Sequence, residues 1–454
     1  MNNIPKKKYS LFTAVVMIVG IVIGSGIFFK TPEILKSTNG DVSLGILAFL
    51  ISGFGIIFGG LTIANYARID DTPGGLVSYC ELCFGKKFGF LAGWFQMVIY
   101  FPAICAIIGW VCANYLLALF NRSNILTTQE FNPLIWPLAI FLIAFFFILN
   151  LLKSHGSAKI QQFTTVTKIS SLFLLAIAGI LFGNPEPVFI KSTTSIINNP
   201  GFISALIAVA FTTDGWMLAP SIAHEIKDSK KNLSIALVIS PIIIIGIYLL
   251  YFYGISSSIG PDAILSGVDP ISAIATSLFG NIGITIIYLL VLSSTLGALN
   301  GLTLAFIRVP YLLAIRESIP FSKNIAKISP KYDTPINATI LCFILTIIYL
   351  FIHFLSLDGV AVYNLNIING FEVDAIPVVL NYIFLVCLYM GVLLKPNKFK
   401  FTNIFQKYLY PTLAILGSLI ILYGGITKPN FNVYLIICVV ITLSGLLIYS
   451  KKNV

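Results

Sequence analysis

The chain has 454 residues, of which 57% are hydrophobic and only 10% are charged, and its formal net charge is +11. Because soluble domains carry about 25% charged residues, this composition excludes an ordinary soluble protein. Apolar runs long enough to cross about 30 Å of hydrocarbon recur along the whole sequence, which indicates an integral membrane protein.

The apolar runs predict twelve transmembrane helices. A basic N-terminal segment precedes the first run, but no small-residue cleavage site follows it, so we interpret this run as a retained helix and not as a signal peptide. The predicted spans cover residues 10–35, 42–66, 88–118, 133–151, 158–183, 201–225, 233–256, 280–313, 336–355, 374–394, 407–426 and 431–449.

The distribution of the basic residues predicts the orientation in the membrane. With the N-terminus inside, the cytoplasmic segments hold 22 Lys and Arg residues and the external segments hold five, while Lys168 lies within a span. This split follows the positive-inside rule, so we expect both termini to be cytoplasmic. Because topology accounts for the basic charge, we predict no nucleic-acid partner.

Glycines interrupt the first predicted span. The stretch IVIGSGIFF (21–29) contains Gly24 and Gly26 and directly follows Gly20. Each glycine costs roughly 1 kcal/mol relative to alanine in a helix interior, which favours a broken helix. Gly20 and Gly24 also form the small-xxx-small pattern of a close helix-packing face. Taken alone, the span is equally consistent with packing and with substrate contact.

A second interruption lies in the sixth span, AVAFTTDGWMLAPSIAHE (208–225). Thr212, Asp214 and Gly215 lie together at mid-depth in this span, and Pro220 follows them. A carboxylate near the bilayer centre costs ~2.5–3.5 kcal/mol on insertion scales, so we expect Asp214 to face protein or a water-filled cavity. A buried, hydrogen-bonded structural role for Asp214 is the alternative.

The two interrupted spans occupy matching positions, since each is the first of a group of five. This pattern is typical of transporters built from inverted repeats, in which half-helix ends meet at mid-membrane. Exposed N–H groups there suit a carboxylate and exposed carbonyls suit an ammonium, so the breaks predict a site for an α-amino acid. The expected all-α fold has a first repeat at 10–183, a second repeat at 201–394, two additional helices within 407–449, and cytoplasmic tails at 1–9 and 450–454.

Four motifs resemble those of the amino acid–polyamine–organocation superfamily. They are IVIGSGIF (21–28), YARIDDTPGGLVSYCELCFG (66–85), FTTDGW with HEIKDSKKNL (211–216 and 224–233), and STLGALNGLTLAFIRVPYLLAIRESIP (294–320). The resemblance covers roughly residues 10 to 390 and is greatest with the branch of L-type and bacterial serine/threonine exchangers. It implies a LeuT-type inverted-repeat core, with broken helices 1 and 6, that transports amino acids.

The resemblance also implies a substrate site made of groups from the two breaks. The groups implied to hold the substrate carboxylate are the backbone N–H groups of Ser25 and Gly26, beside Gly24. The carbonyls implied to hold the substrate ammonium belong to Val22, Phe211, Thr212 and Asp214, beside Gly215. Phe211 is in addition the implied aromatic gate on the external side.

Lys168, in QQFTTVTKISS on span five, lies where that branch carries a lysine beside the first break. The resemblance implies that its ammonium takes the place that a sodium ion occupies in related transporters. A lysine that extends to the membrane interface is the alternative, but Lys168 lies about ten residues into its span. The sequence therefore favours sodium-independent transport.

We predict a plasma-membrane exchanger of neutral L-amino acids that works by alternating access and needs no cofactor. Proton-coupled symport is one alternative, and antiport of cationic amino acids or polyamines is another, if Asp214 adds charge recognition. An intramembrane aspartyl hydrolase would need a second mid-depth carboxylate, and a receptor would need a signalling domain. Cys80 and Cys83 form a lone C-x-x-C, so no metal site is predicted. The exact substrate and the oligomeric state stay open.

Overall fold

The computed structural model describes residues 9–24, 26–70, 72, 74–121, 134–152, 154–183, 200–268, 270–363, 371–427 and 431–449. The regular structure in these ranges is helical, apart from one isolated bridge between Tyr9 and Ile226. Ser25 lies outside the described residues.

The α-helices are numbered in chain order. They are α1 (Leu11–Val22), α2 (Gly26–Ser37), α3 (Val42–Ile69), α4 (Leu76–Phe84), α5 (Lys86–Phe95), α6 (Phe101–Asn121), α7 (Ile135–Leu152), α8 (Ser154–Phe182), α9 (Pro200–Thr212), α10 (Ser229–Ile259), α11 (Pro261–Leu265), α12 (Pro270–Ile315), α13 (Ser322–Ile325), α14 (Ile336–Tyr363), α15 (Ala375–Leu394), α16 (Tyr410–Thr427) and α17 (Phe431–Ile448). Shorter turns complete the list: π turns at Gln96–Tyr100 and Phe405–Leu409, and 3₁₀ segments at Trp216–Glu225 and Pro396–Lys398.

Eleven of the described helical segments are long and apolar enough to span a membrane, and α1 with α2 forms a further pair bent by 47°. The prediction of an all-helical chain with many membrane spans is therefore confirmed, with twelve spans if the bent pair counts as one. Gly280, at φ +59°, kinks α12 at the residue where the eighth span was predicted to begin.

Close helix packing around α1 depends on small residues at the contacts. In the contact between α8 and α10, a Cβ added at Gly179 would collide with the backbone of Gly254. In the contact between α3 and α10, a Cβ added at Gly60 would collide with the carbonyl of Leu237. Because these glycines let the backbones approach, α3, α8 and α10 form a compact scaffold for the broken helices.

Candidate substrate site

A cavity of about 40 Å³ lies between the two helix breaks, which is room for about three water molecules. It brings together seven of the residues singled out from the sequence: Val22, Gly24, Gly26, Phe211, Thr212, Asp214 and Gly215. The rest of its wall comes from α1, the first π turn, α6 and α12, and is apolar except for Tyr100: the residues are Ile21, Tyr100, Ile104, Ile108, Ala298 and Leu302.

The first break is a tight turn between α1 and α2. The N–H of Gly24 donates to the carbonyl of Val22 at 2.8 Å, and Ile23 between them has φ −71° and ψ 86°. These values are those of an inverse γ-turn, which ends α1. A Cβ added at Gly26 would lie 3.3 Å from the Phe211 ring, so the glycine keeps the cavity open.

Lys168 lies behind α1 and not in the cavity wall. Its side chain is fully buried, and Nζ donates to the carbonyl of Gly20 at 2.8 Å. Gly20 belongs to the last turn of α1, where carbonyls lack a partner within the helix and the helix dipole favours a cation. Lys168 therefore binds the carbonyl end of the first half-helix.

The sequence left two roles open for the glycines of the first span, close helix packing and contact with the substrate, and the glycines differ in their surroundings. A Cβ added at Gly20 would collide with the side chain of Thr165 on α8, so Gly20 serves close packing. Gly24 and Gly26 instead line the cavity at the break.

Tyr248 joins the two breaks, although it was not among the residues predicted for the site. Its buried hydroxyl lies 3.0 Å from the carbonyl of Val22 and 3.0 Å from the carbonyl of Thr212. A hydroxyl has one proton and so donates to one of the two carbonyls at a time. The signal available in the sequence is weak: a tyrosine at mid-span in an otherwise apolar run, far from the interfaces where tyrosine is common.

The second break follows α9 and depends on a left-handed glycine. Gly215 has φ +97°, which only glycine adopts without strain, and the 3₁₀ segment begins at the next residue. The hydroxyls of Thr212 and Thr213 donate back to the carbonyl of Val209 at 2.7 and 3.0 Å. Both hydroxyls therefore bind within α9, and the group of Thr212 that lies next to Tyr248 is its carbonyl.

Asp214 lines the cavity, and its carboxylate already accepts a hydrogen bond from within the protein. The carboxylate accepts a hydrogen bond from the Tyr100 hydroxyl, and the Asn381 side chain on α15 lies beside it. Tyr100 is the last residue of the first π turn, a distortion that is frequent at functional sites. Tyr100 and Asp214 both line the cavity and give its wall a polar part.

Phe211 separates the cavity from a buried ion pair on the α2 side. Its ring packs edge-on against that of Phe29, with centroids 5.6 Å apart, and the Lys30 ammonium lies 5.4 Å from the Phe211 ring centroid. Lys30 Nζ also lies 2.6 Å from the carboxylates of both Glu33 and Asp374. Since Asp374 directly precedes α15, this α2-side lock ties α2 to α15.

The opposite end of the molecule is closed by different contacts. Arg316, directly after α12, places Nη1 2.5 Å from Glu81 Oε2 and donates through Nη2 to Ser78 Oγ at 2.9 Å. The N–H of Lys227 donates to the carbonyl of Tyr9 at 2.8 Å. The Arg316 contacts with Glu81 and Ser78 form an α4-side lock. Within the described ranges, no cluster of His, Cys, Asp and Glu could hold a metal ion.

The sequence of the chain is similar to those of known amino acid transporters. The chain is 28% identical to the serine/threonine exchanger SteT of Bacillus subtilis (strain 168) over 453 residues, which is 99% of this chain and 97% of that protein. It is 26% identical to the human cystine/glutamate transporter over 76% of this chain and 68% of that protein. It is also 26% identical to the human large neutral amino acids transporter small subunit 2, over 76% and 64% respectively.

A family model described as amino acid permease matches residues 9–448, which is nearly the whole chain. The members of this family are transporters and not enzymes, and the match includes both helix breaks and the cavity between them. The chain therefore belongs to the amino acid permease family.

Proposed function

We propose that this permease exchanges small neutral L-α-amino acids across the plasma membrane, by alternating access and without sodium coupling. The single observation that carries the proposal is the hydrogen bond from Lys168 Nζ to the Gly20 carbonyl. A fixed, buried cation already stabilises the end of α1, where a coupling ion would otherwise supply the charge. Transport then needs no sodium to hold the broken helix in place.

The groups that surround the cavity support an α-amino acid as the substrate. The first N–H groups of α2 have no partner within the helix and carry the positive end of its dipole, which suits a carboxylate. The carbonyls of Val22 and Thr212, which share the Tyr248 proton, suit an ammonium. A bound substrate would then compete with Tyr248 or share these carbonyls with it.

The size of the cavity supports a small substrate. The free space between the lining side chains is small, which favours a substrate with a short side chain. Ile104 and Leu302 make this wall apolar, while Tyr100 and Asp214 add a polar end. The relative that matches over its full length is an exchanger of serine and threonine, and both of these amino acids fit this description.

The alternative of cationic substrates rests on the Asp214 carboxylate. That carboxylate is not free, because the Tyr100 hydroxyl donates to it and Asn381 lies beside it. A cationic side chain would have to compete with the Tyr100 hydrogen bond. The neutral class is therefore favoured.

The inverted-repeat architecture is supported by a symmetry in the contacts. Lys168 on α8, the fifth span, contacts the first broken span at Gly20. Asn381 on α15, the tenth span, contacts the second broken span at Asp214. The fifth helix of each half thus contacts the broken helix that begins it, as two copies of one repeat would arrange. In this proposed architecture the repeats are 10–183 and 201–394, and the positive-inside distribution of basic residues supports cytoplasmic termini.

Alternating access follows from the two locks described above. Opening toward the outside breaks the α2-side lock over Phe211, which makes this ring the external gate. Opening toward the cytoplasm breaks the α4-side lock and the contact between Tyr9 and Lys227. Each opening leaves the other closure intact, so the cavity is never open to both sides.

The test is uptake into proteoliposomes loaded with unlabelled serine. We expect rapid entry of labelled serine, threonine or alanine that requires internal amino acid and is unchanged by sodium or pH gradients. Uptake into empty liposomes driven by a proton gradient would identify a symporter instead. Preferential uptake of labelled arginine would overturn the neutral class while leaving the exchanger mechanism in place.

A further inference from the structure

A second cavity, of about 340 Å³, lies at the membrane boundary and is separate from the substrate site. It is lined by Arg68 from the last turn of α3 and by Lys230, Lys231, Ser234 and Ile235 from the first two turns of α10. Both helices are membrane spans that end or begin here.

This boundary pocket carries three positive charges without a carboxylate partner. Among the described residues, neither Arg68 nor the two lysines form an ion pair. Arg68 Nη1 instead donates to the neutral amide oxygens of Asn65 and Gln406, at 3.3 and 3.1 Å. These amides orient the guanidinium without neutralising it, so the pocket attracts an anion.

Two of the described acidic residues, Asp70 and Asp228, lie near these cations in the sequence but form no ion pair with them. The Asp70 carboxylate accepts hydrogen bonds from the N–H and the hydroxyl of Thr72, at 2.9 and 2.7 Å. Asp228 precedes α10 in a left-handed conformation and makes no side-chain cap bond. Neither forms an ion pair with the three cations among the described residues.

An apolar stripe continues from the pocket along α10. Ile235 lines the pocket, and Ile239 and Ile242 follow it at helical spacing with 40% and 53% of their surface exposed. Residues at i, i+4 and i+7 share one face of a helix, so this face is turned to the hydrocarbon. A free anion would use only the charged part, whereas an anionic phospholipid would use both parts.

We propose that the boundary pocket binds the phosphate headgroup of an anionic phospholipid, whose acyl chain lies along the stripe of Ile235, Ile239 and Ile242. Arg68 binds the phosphate oxygens through its planar fork of donors, and Lys230 and Lys231 add charge at the rim. The proposal concerns a site distinct from substrate transport and does not depend on which amino acid is exchanged.

The test measures lipid binding to the purified full-length chain in neutral detergent by native mass spectrometry. The probes are dioctanoyl phosphatidylglycerol, dioctanoyl phosphatidylcholine and inorganic phosphate. The test variant is K230Q/K231Q, and the matched control is K86Q/K87Q, which removes the same charge from another exposed lysine pair. Because all four lysines are exposed, we expect both variants to fold, and serine uptake reports on this.

We expect phosphatidylglycerol to bind at least tenfold more tightly than phosphatidylcholine. Since each basic residue near a charged lipid surface is worth about fivefold in affinity, K230Q/K231Q should weaken phosphatidylglycerol binding about 30-fold. The control variant should change it less than twofold. Equal losses in the two variants would overturn the proposal, because they would reflect net charge alone. Displacement of the lipid by an equal concentration of inorganic phosphate would also overturn it, in favour of a free-anion site.

Discussion

The Lys168→Met substitution removes a buried ammonium but keeps an unbranched side chain of similar length. The ammonium is fully buried and donates to the Gly20 carbonyl at 2.8 Å. A hydrogen bond to a charged group is worth about 1.5–3 kcal/mol, whereas burial of the charge costs several kcal/mol. We therefore expect the thermal stability of the variant in detergent to be unchanged or higher.

Exchange by the same variant is expected to fall steeply. In the proposed mechanism, the hydrogen bond holds the last turn of α1 where its carbonyls face the substrate. We assume that the full ~1.5–3 kcal/mol is added to the barrier of the transport cycle. Because about 1.4 kcal/mol corresponds to a tenfold change in rate, exchange should slow about 10- to 150-fold. A fall in transport without a fall in stability would distinguish a positioning role from a structural one.

The assay is exchange of labelled serine in proteoliposomes that contain equal amounts of reconstituted protein, beside a thermal melt of each sample. Lys36→Met is the matched control, because Lys36 is exposed at the end of α2. Wild-type exchange by Lys168→Met would refute the assigned role. Slow exchange that recovers with added sodium would instead show that an ion replaces the ammonium.

Three further substitutions test the other contacts of the site. Tyr248→Phe removes one hydrogen bond of about 0.5–1.5 kcal/mol, so substrate affinity in a competition assay should change about 2- to 12-fold. The control Tyr253→Phe, on the same helix, should leave the affinity unchanged. Gly26→Ala places a Cβ 3.3 Å from the Phe211 ring, so threonine should compete less well relative to alanine than in the wild type; an unchanged ratio would contradict this. Asp374→Asn should slow exchange because it weakens the α2-side lock. The charge swap that combines Lys30→Asp with Asp374→Lys should restore part of the exchange rate. No recovery would argue against the ion pair as a gate.

The fold could be predicted because its signals are local and long. An apolar run of twenty residues has few alternatives to a membrane helix, and the predicted spans match the observed ones in number and approximate position. The breaks were also predictable, because Gly24, Gly26 and Gly215 interrupt runs that are otherwise continuous. The structure then assigned Gly20 to packing, which the shared small-xxx-small pattern could not decide.

The contacts that complete the site were not predictable, because they join residues far apart in the sequence. Tyr248 lies 226 residues from Val22, and Tyr100 lies 114 residues from Asp214. Apolar periodicity reports which residues are in a membrane, but not which face of a nearly all-apolar helix meets which neighbour. The π turn adds a further obstacle, since it shifts the face on which Tyr100 emerges without any change in hydropathy.

The two locks differ in a way that bears on how the protein detects its substrate. The side chains of Lys30 and Asp374 are 7% and 16% exposed, whereas those of Arg316 and Glu81 are 27% and 33% exposed. The Arg316–Glu81 pair is therefore the more accessible to solvent of the two, and salt screens it more strongly. The α2-side lock also shares Phe211 with the cavity wall, so a substrate that moves this ring acts directly on the lock. The α4-side lock has no residue in the cavity wall, and the substrate can reach it only through the broken helices. In the proposed mechanism, substrate occupancy is therefore coupled most closely to the α2-side lock.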